Sequence, residues 1–394
     1  MRALTTATLL ADEQLLRAAE RLRPDVDPAE IAARAAWSVL TEPGDGVAGA
    51  LVAAFGPQGA LDQALSEATL RAPIEVLGSK TMNEAVARWM PRADSRAVVN
   101  ALRDAEAVGA RMLLPDDPDW PVGLADLGPH APLVLWVRGS SEALVAQEAV
   151  SIVGARASTG YGENIAAELA GDLAATGVCV VSGGAYGIDG TAHRAAIGVG
   201  GTTVAFLAGG VDRSYPAGHQ QLFERIRAGG AVVSEVPCGG APTKWRFLQR
   251  NRLIAAAGLA TVVVEAGRRS GTLNTAGHAA DLGRPLGAVP GPISSAASAG
   301  CHRLFREFDA ICVTSAAEVR ELWADAAPEP PGAPAVDPHR VRLLDALSTR
   351  APRDVQELAR RSGMDAERVR SILGVMELEG GATRRQTGWI RSGG

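Results

Sequence analysis

The sequence predicts an α/β fold built on a doubly wound parallel sheet, with a helical domain before it and a small third domain after it. The chain has 394 residues, enough for two or three domains at roughly 150 residues each. Apolar residues make up 47% of it, which excludes a disordered chain. From about residue 131, β-rich runs alternate with helical stretches, as in parallel sheets covered on both faces. We place the domains at 1–105, 106–325 and 339–394, with a linker at 326–338.

The first 105 residues show helical spacing of apolar side chains, interrupted by Pro and Gly. The predicted helices are Glu30–Leu40, Val47–Phe55, Leu61–Ala68 and Met82–Trp89. A Gly-Pro turn divides Leu51–Leu65 into two short helices, a hairpin that can hold a nucleic-acid backbone. Because carboxylates surround this hairpin, we favour a role in packing or in binding a partner.

The middle domain contains eight candidate strands, most of them nearly continuous apolar runs. They are Leu133–Val137, Val150–Val153, Val178–Ser182, Thr203–Ala208, Ala231–Glu235, Ala260–Glu265, Pro285–Val289 and Ala310–Thr314. Helical stretches lie between them, at Gly162–Ala175, Thr191–Ile197, His219–Ala228, Phe247–Ala257 and Thr275–Leu282. This repeat of strand and helix predicts the doubly wound sheet.

The last part of the chain follows a Pro/Ala/Gly-rich linker at 326–338. Three helices are predicted there, at Val341–Leu347, Asp354–Arg361 and Asp365–Glu379, and a hairpin follows at Ala382–Arg384 and Gly388–Arg391. That order of elements is typical of a winged helix-turn-helix.

The net charge of −5, from 39 basic and 44 acidic residues, by itself argues against nucleic-acid binding. The charge is uneven, however: residues 1–130 carry 12 basic and 19 acidic side chains, 131–325 carry 16 of each, and 326–394 carry 11 and 9. Whole-chain charge therefore does not exclude a local pocket of arginines in the middle domain.

Several classes of protein are disfavoured by what the sequence lacks. We expect no membrane span, since there is no apolar run of about 18 residues, and no signal peptide, since Asp12 and Glu13 interrupt the N-terminal apolar patch. The four cysteines lack zinc spacing, and Cys179 and Cys312 lie in apolar runs that predict core thiols. We expect no metal, no cofactor and a cytoplasmic location.

Two glycine-rich turns follow successive strands of the predicted sheet. Gly154 to Gly160 includes Arg156 and Ser158, and Ser182 to Asp189 includes Gly183, Tyr186 and Gly187. Small residues let backbone N–H groups face a ligand at a helix N-terminus. Because ligands bind at the carboxyl ends of strands in open α/β sheets, these turns predict a phosphate-bearing ligand.

The segment 244–252, Lys-Trp-Arg-Phe-Leu-Gln-Arg-Asn-Arg, is the densest basic stretch of the middle domain. Its candidate binding residues are Lys244, Phe247, Arg250, Asn251 and Arg252. Cations follow phosphates, and aromatic rings offer faces on which bases stack. Cations at a helix start oppose the helix dipole, which favours an anion there over a solvated helix end. Some of these cations are expected to pair with acids such as Glu235 or Glu265.

A third polar turn, which follows the strand at 260–265, contains Ser270, Gly271 and Thr272, whose hydroxyl and amide groups can donate to a ligand. We expect Glu265 to orient an arginine or a ribose-type hydroxyl, and Asp189 to cap the helix that holds His193. His193 and His278 each stand without a nucleophile or metal set, which favours structural roles. No catalytic residue is predicted.

Together these strings resemble the DNA-processing protein DprA (Smf) family. The strings are Ser-Ile-Val-Gly-Ala-Arg at 151–156, Ser-Gly-Gly-Ala-Tyr-Gly-Ile-Asp at 182–189, Ala192-His193, Tyr215-Pro216, Ser234-Glu235, Arg250-Asn251-Arg252-Leu253-Ile254, Glu265-Ala266, Ser270-Gly271-Thr272 and Pro290-Gly291. The resemblance implies a Rossmann-like middle domain, a SAM-like helical domain and a winged-helix domain.

The resemblance also implies a function. Members of the family are cytoplasmic bacterial proteins that bind single-stranded DNA, protect incoming DNA during natural transformation and load the RecA recombinase onto it. They form homodimers through the Rossmann-like domain. Their basic pocket matches Arg156, Arg250, Asn251 and Arg252 here, and Phe247 stands where an aromatic often precedes the Arg-Asn-Arg segment.

Two positions depart from the family pattern. Tyr186 stands where many relatives carry Arg or Lys, so that a stacking or hydroxyl contact would replace a charged one. The usual Gly-x-Asn near the end of the domain reads Gly300-Cys301-His302, so that the role of that Asn does not carry over.

Two other classes of function remain open at this point. One is an enzyme on nucleotides, similar to phosphoribohydrolases, although their Pro-Gly-Gly-x-Gly-Thr string is absent here. The other is a ligand-sensing transcription regulator whose DNA reader is 339–394, with Arg368 and Arg370 on the recognition helix and Arg384 and Arg385 on the wing. Release of free base would reveal the enzyme, and duplex binding by the third domain would reveal the regulator.

Overall fold

The computed structural model describes residues 6–65, 78–324 and 338–392, and the chain divides into two compact units, Met1–Ala324 and Asp325–Gly394. The end of the helix predicted at 61–68 lies outside the described residues, as does all of the predicted linker except Pro338. In the described part of the chain no helix is long and apolar enough to cross a membrane.

The N-terminal part of the first unit is helical, as predicted. Its helices are α1 (Thr6–Leu10), α2 (Glu13–Leu22), α3 (Pro28–Leu40), α4 (Gly46–Leu65), α5 (Ser79–Trp89) and α6 (Ser95–Ala107). The sequence pattern did not predict α1, α2 or α6. A break inside α4 confirms the Gly-Pro turn, because Gly56 has φ +69°, a left-handed conformation that favours glycine.

These helices share one hydrophobic core with the edge of the sheet. Trp37 and Trp89 meet edge to face with ring centroids 5.2 Å apart, and the same cluster includes Met112, Trp136 and Leu207. The Gly-Pro turn takes part in this packing, because the buried Trp37 donates its Nε1–H to the carbonyl of Pro57 over 2.9 Å. The hairpin in α4 therefore serves packing, as favoured above.

A nine-stranded sheet within the described residues has the order β1-β2-β6-β5-β4-β3-β7-β8-β9. The strands are β1 (Arg111–Leu113), β2 (Leu135–Gly139), β3 (Ala149–Val153), β4 (Cys179–Ser182), β5 (Thr203–Phe206), β6 (Ala231–Ser234), β7 (Ala260–Val263), β8 (Leu286–Ala288) and β9 (Ile311–Cys312). From β6 to β9 all pairs are parallel. At the other edge β1 pairs antiparallel with β2, and β2 antiparallel with β6.

Helices cover both faces of this sheet, which confirms the predicted α/β fold. They are α7 (Gly160–Ala175), α8 (Ile188–Gly198), α9 (Gln220–Gly229), α10 (Lys244–Ala257), α11 (Thr272–Asp281), α12 (Ala299–Glu307) and α13 (Ala316–Glu321). Successive side chains of a strand point to opposite faces. Accordingly Ile152 packs with α7 and α8, whereas Val153 packs with α10 and α11.

The prediction about cysteines was half right. Cys179 is buried on β4, but Cys312 is exposed, because β9 is a two-residue strand at the edge of the sheet with no strand beyond it in the described residues. Cys238 and Cys301 are also buried, and the four thiols are free.

The second unit is a winged helix, as the element order predicted. It consists of α14 (Pro338–Ala346), α15 (Val355–Ser362), α16 (Ala366–Leu378) and a hairpin of β10 (Ala382–Arg385) and β11 (Gly388–Arg391). Gly363 ends α15 with φ +68°, which a side chain would strain. The core is small and includes Leu343, Leu358 and Leu373.

Candidate nucleic-acid interface

A cleft of about 870 Å³ opens at the carboxyl ends of β3, β4 and β7. It lies where the strand order reverses between β3 and β7, the place where open α/β sheets bind ligands. Nine of the predicted binding residues line it: Gly154, Arg156, Lys244, Phe247, Arg250, Asn251, Ser270, Gly271 and Thr272. The structure therefore brings together three turns that are up to 118 residues apart in the chain.

The turn after β7 is joined to the turn after β3 by hydroxyl groups. Thr272 donates its Oγ1–H to the Gly154 carbonyl over 2.9 Å, and Ser270 donates to the Thr272 hydroxyl over 2.9 Å. Gly271 is open, since a Cβ at that position would have no atom within 4 Å. These hydrogen bonds hold the N-terminus of α11 at the cleft, and backbone N–H groups at a helix N-terminus favour an anion.

Phe247 stands in the wall of the cleft between two guanidinium groups. The Arg156 Cζ lies 4.6 Å from the ring centroid and the Arg250 Cζ lies 5.9 Å from it. The Tyr215 ring is 5.5 Å away, tilted by 54°, and half of that side chain is exposed. Tyr215 was not among the predicted site residues, and only its place in the Tyr-Pro string could have indicated it.

Arg156 and Arg250 differ in how they are held. Arg156 is exposed, and its guanidinium makes no hydrogen bond or ion pair with the described residues. Arg250 is buried, and its Nη1 donates to the Phe206 carbonyl over 2.7 Å. Arg156 can therefore move toward a ligand, whereas Arg250 is a fixed charge behind Phe247.

Arg250 is a buried cation without full compensation. Burial lowers its pKa to about 10; the charge of Asp189 opposes this shift and that of Arg156 adds to it. Its Nε lacks a hydrogen-bond partner among the described residues. Gly183 makes room for this side chain, because a Cβ there would lie 1.9 Å from the Arg250 Nη1. The Arg250 guanidinium thus stays protonated at neutral pH, with the Asp189 carboxyl in the same lining.

Asp189 holds the turn between β4 and α8, and the prediction that it caps this helix is wrong. The N-cap position is Gly187, and Asp189 lies in the first turn of the helix. Its Oδ2 instead accepts the N–H of Gly183 over 3.2 Å and that of Ala185 over 3.5 Å. Burial raises the pKa of this carboxyl, while the charge of Arg250 opposes that rise.

The other predicted residues of this turn support the cleft from outside its lining. Ser182 donates to the Ile152 carbonyl over 2.7 Å, and Gly187 has φ +74° with the Ala155 carbonyl 2.3 Å from where a Cβ would be. The exposed Tyr186 ring packs edge to face against the His219 ring, and the two ring centroids are 4.7 Å apart. It therefore does not occupy the cleft in place of the basic residue of relatives.

Ser158 and Glu265 have local partners. Ser158 donates to Glu163 over 2.8 Å, outside the cleft lining. The two oxygens of the buried Glu265 accept the backbone N–H and the hydroxyl of Thr159, over 2.9 and 2.6 Å. The prediction that Glu265 orients an arginine or a sugar hydroxyl is therefore wrong for this conformation, because both oxygens fasten the turn that carries Arg156.

Arg252 points away from the cleft although its neighbours Arg250 and Asn251 line it. Residues two apart on an α-helix lie about 200° apart around its axis. Arg252 is buried on that opposite side, where it pairs with Glu235 at 2.8 Å and donates to the His130 carbonyl over 3.0 Å. This ion pair confirms the expectation that some cations of the basic segment pair with acids such as Glu235.

Asn251 and Lys244 complete the predicted set. Asn251 donates to Asn274 Oδ1 over 3.2 Å and so faces the N-terminal turn of α11. Lys244 is exposed at the first residue of α10, whose N-cap Thr243 accepts the Arg246 N–H. Around the cleft, the described residues hold no group of three His, Cys, Asp or Glu side chains that could bind a metal.

His193 has a structural partner, as predicted. The Thr203 hydroxyl donates to the Val180 carbonyl, so it accepts the His193 Nδ1–H over 2.7 Å. Burial lowers the pKa of His193 to about 3, and the charges of His219, Arg250 and Arg194 act in the same direction. This histidine is a neutral core residue at pH 7.

The winged-helix unit presents its predicted arginines to solvent. Arg368 and Arg370 are exposed on α16, and Arg384 and Arg385 are exposed on β10. Arg384 lies 5.9 Å from the ring centroid of Trp389. Their use in reading duplex DNA stays a prediction.

Comparisons with known proteins agree on one family. The family model for DNA recombination-mediator protein A matches residues 111–324, and that for the DprA winged helix domain matches 327–386. A putative DNA processing protein DprA of Mycobacterium tuberculosis is 44% identical over 321 residues, 76% of this chain and 82% of that protein. Protein Smf of Escherichia coli is 36% identical over 272 residues, 66% and 72% of the two chains. The X-ray structure of DprA from Streptococcus pneumoniae superposes with a TM-score of 0.61 at 27% identity, covering 75% of this chain and 97% of that one.

Proposed function

Because the chain belongs to the DNA recombination-mediator protein A (DprA/Smf) family, we propose that its cleft binds single-stranded DNA and that the protein presents this strand to a RecA-type recombinase. The observation that carries the proposal is the position of Phe247 between Arg156 and Arg250 in the open cleft at the sheet's switch point. One aromatic face flanked by two cations fits a base and its neighbouring phosphates.

Arg156 contacts the phosphodiester backbone in this proposal. Its guanidinium is exposed and lies over the Phe247 ring, where its contact with the described residues is a cation–π interaction, worth about 0.5–1 kcal/mol at exposed sites. A phosphate offers two charge-assisted hydrogen bonds in exchange. When the arginine turns to the phosphate it uncovers the ring, so that a base can stack on Phe247.

Arg250 supplies fixed electrostatic attraction. Its charge is buried next to Phe247, and the charge of Asp189 raises its pKa against the effect of burial. A buried charge that is incompletely paired is costly in free energy, and an approaching phosphate lowers that cost. The proposal therefore gives Arg250 a long-range role, with the first turn of α11 and Lys244 as further contacts to the backbone.

We propose a binding role and not a catalytic one. Both carboxylates nearest the cleft are engaged, since Asp189 accepts backbone N–H groups and Glu265 binds Thr159. Neither is placed as a free general base. Incubation with nucleoside monophosphates is the control, because release of free base would favour the phosphoribohydrolase-like alternative.

In this proposal the protein acts in the cytoplasm. Its partners there are single-stranded DNA, a RecA recombinase and a second copy of this chain. Four free thiols, three of them buried, suit a reducing compartment. Two parts of the proposal rest on membership of the family: the protection of incoming DNA during natural transformation, and the formation of a homodimer. The cleft geometry supports the strand-binding part.

Binding of a fluorescently labelled oligothymidylate tests the cleft. The double variant Arg156→Ala/Lys244→Ala removes two exposed cations and should bind about 10- to 100-fold more weakly at fixed salt. The slope of log affinity against log salt should fall by about 1 for each phosphate that is no longer bound. The control Arg17→Ala removes an exposed cation paired with Glu13 on α2. Equal binding by the double variant and the wild type would show that the cleft is the wrong site.

A second assay tests the mediator part. The protein should accelerate RecA-driven strand exchange on oligonucleotides coated with single-strand-binding protein, and the double variant should not. If the wild type binds the strand tightly but leaves strand exchange unchanged, the strand-binding part stands and the mediator part fails.

A further inference from the structure

Trp245 is a large aromatic side chain in the first turn of α10 that the cleft does not use. It is 56% exposed, whereas the six other tryptophans, all within the described ranges, are buried or half-buried. It stands two positions before Phe247, so that it lies about 200° around the helix from that ring. An exposed indole costs hydration free energy, and aromatic residues of this kind are enriched where proteins bind ligands.

A second cleft of about 910 Å³ lies on the Trp245 side of α10, between this helix and the N-terminal helices. Besides Trp245, its walls include Gln249 from α10, Arg88 and Arg92 from the region of α5, and His130. The first turn of α10 is thus a ridge with Phe247 facing one cleft and Trp245 facing the other. Both clefts belong to the same compact unit.

Two arginines, Arg88 and Arg92, and two carboxylates, Glu42 and Asp45, line the second cleft. Its two lining carboxylates are already engaged: Glu42 binds Arg92 at 2.6 Å and Arg246 at 2.9 Å, and Asp45 accepts the Trp89 Nε1–H over 2.8 Å. Arg88 is more than half exposed and reaches Asp45 only at 3.6 Å. Arg88 is therefore the lining cation that is least tightly paired.

We propose that Trp245 and the second cleft form a further subsite for the same single strand, which crosses the first turn of α10 from Phe247 to Trp245. This inference rests on the proposed function. The two aromatic faces lie on either side of one helix, about 10–12 Å across, with Lys244 in the same turn. Proteins that bind a single strand without sequence preference combine aromatic side chains, on which bases stack, with cations that contact the phosphates along a groove.

The length of the bound oligonucleotide separates the two clefts. A short oligothymidylate of about six nucleotides should fill the first cleft alone, and one of about sixteen should reach both, since single-strand platforms hold about 4–16 nucleotides. Trp245→Ala should leave the affinity for the short strand unchanged and weaken the long strand at least about fivefold. Arg88→Ala should weaken the long strand only, with Arg17→Ala as the matched control.

Tryptophan fluorescence distinguishes a binding role of Trp245 from a purely structural one, because a structural role would not change the emission when the strand binds. The long strand should quench the wild-type emission by stacking on the exposed indole, and Trp245→Phe should abolish the quenching while keeping an aromatic face for binding. Full affinity of Trp245→Ala for the long strand, or equal loss for both lengths, would overturn the subsite. If the wild type binds neither length, the proposed function itself fails, which is a different outcome.

Discussion

The guanidinium of Arg156 lies over the ring of Phe247, with 4.6 Å between its Cζ and the ring centroid. The arginine comes from the turn after β3 and the phenylalanine from the first turn of α10, and three further strands lie between them in the chain. Glu265 holds the arginine's turn through Thr159, and Thr243 caps the helix. These two supports thus place a cation and an aromatic face together in the absence of a ligand.

Loss of the aromatic face at Phe247 should weaken strand binding more than loss of its volume. Phe247→Leu keeps an apolar side chain but removes the π face, and we expect about 5- to 100-fold weaker binding of oligothymidylate. Phe247→Tyr should bind within about twofold of the wild type. Fluorescence anisotropy measures both. If the leucine variant keeps its affinity while its melting curve is unchanged, stacking on Phe247 is not part of binding.

Gly183 should tolerate no side chain, because its missing Cβ is the space that Arg250 occupies. A Cβ would lie 1.9 Å from the Arg250 Nη1, so that Gly183→Ala should displace the guanidinium and break its bond to the Phe206 carbonyl. We expect lower stability by about 1–3 kcal/mol and weaker strand binding. Gly277→Ala on α11 is the control, since a Cβ there meets nothing within 4 Å. Equal melting temperatures for both variants would contradict this assignment.

The pair of Arg252 and Glu235 should matter for stability and not for strand binding. Arg252 is buried on the side of α10 that faces away from the cleft, and removing it leaves the 12% exposed Glu235 side chain with the Gly44 N–H as a remaining partner but without a countercharge from Arg252. Arg252→Ala should therefore lose about 3–5 kcal/mol of unfolding free energy. Urea denaturation measures that loss, and anisotropy at a temperature where the variant is folded should give wild-type affinity. A selective loss of affinity would instead place Arg252 in the site.

His193 should make the protein less stable at acid pH. Its folded-state pKa is about 3, below the ordinary 6.5, so that between these values the unfolded chain binds one more proton than the folded one. Its contribution is fully present above pH 6.5 and is lost as the pH falls toward about 3, with a slope of up to about 1.4 kcal/mol per pH unit. His193→Gln has no such group, and its unfolding free energy should fall less steeply over this range. Parallel curves for the two proteins would show that His193 is not the cause.

Local patterns in the sequence were sufficient for β2 to β9 and for one edge of the site, but not for β1 or for the antiparallel pairing of β1 and β2 at the edge of the sheet. Alternating apolar runs and helices predicted the strands from Val150 onward, because parallel strands buried on both faces need continuous apolar side chains. The turns at Gly154–Gly160 and Ser270–Thr272 follow parallel strands and therefore had to meet at the same edge. Arg156, Phe247 and Arg250 followed from that rule.

Only the tertiary structure decided which cations face the cleft and which serve the fold. Arg250 and Arg252 are two residues apart in one basic segment, but the helix turns by about 100° per residue and places them on different sides. The partners of the other arginines come from other elements: Arg246 binds Glu42, 204 residues away, and Arg252 binds Glu235, 17 residues away just after β6. The same holds for Tyr186, which packs against His219 outside the lining of the cleft. The sequence by itself determined that arginines and an aromatic residue gather at the carboxyl edge of the sheet. Which of these arginines remain exposed in the cleft was decided by tertiary packing, because their partners come from other elements of the fold.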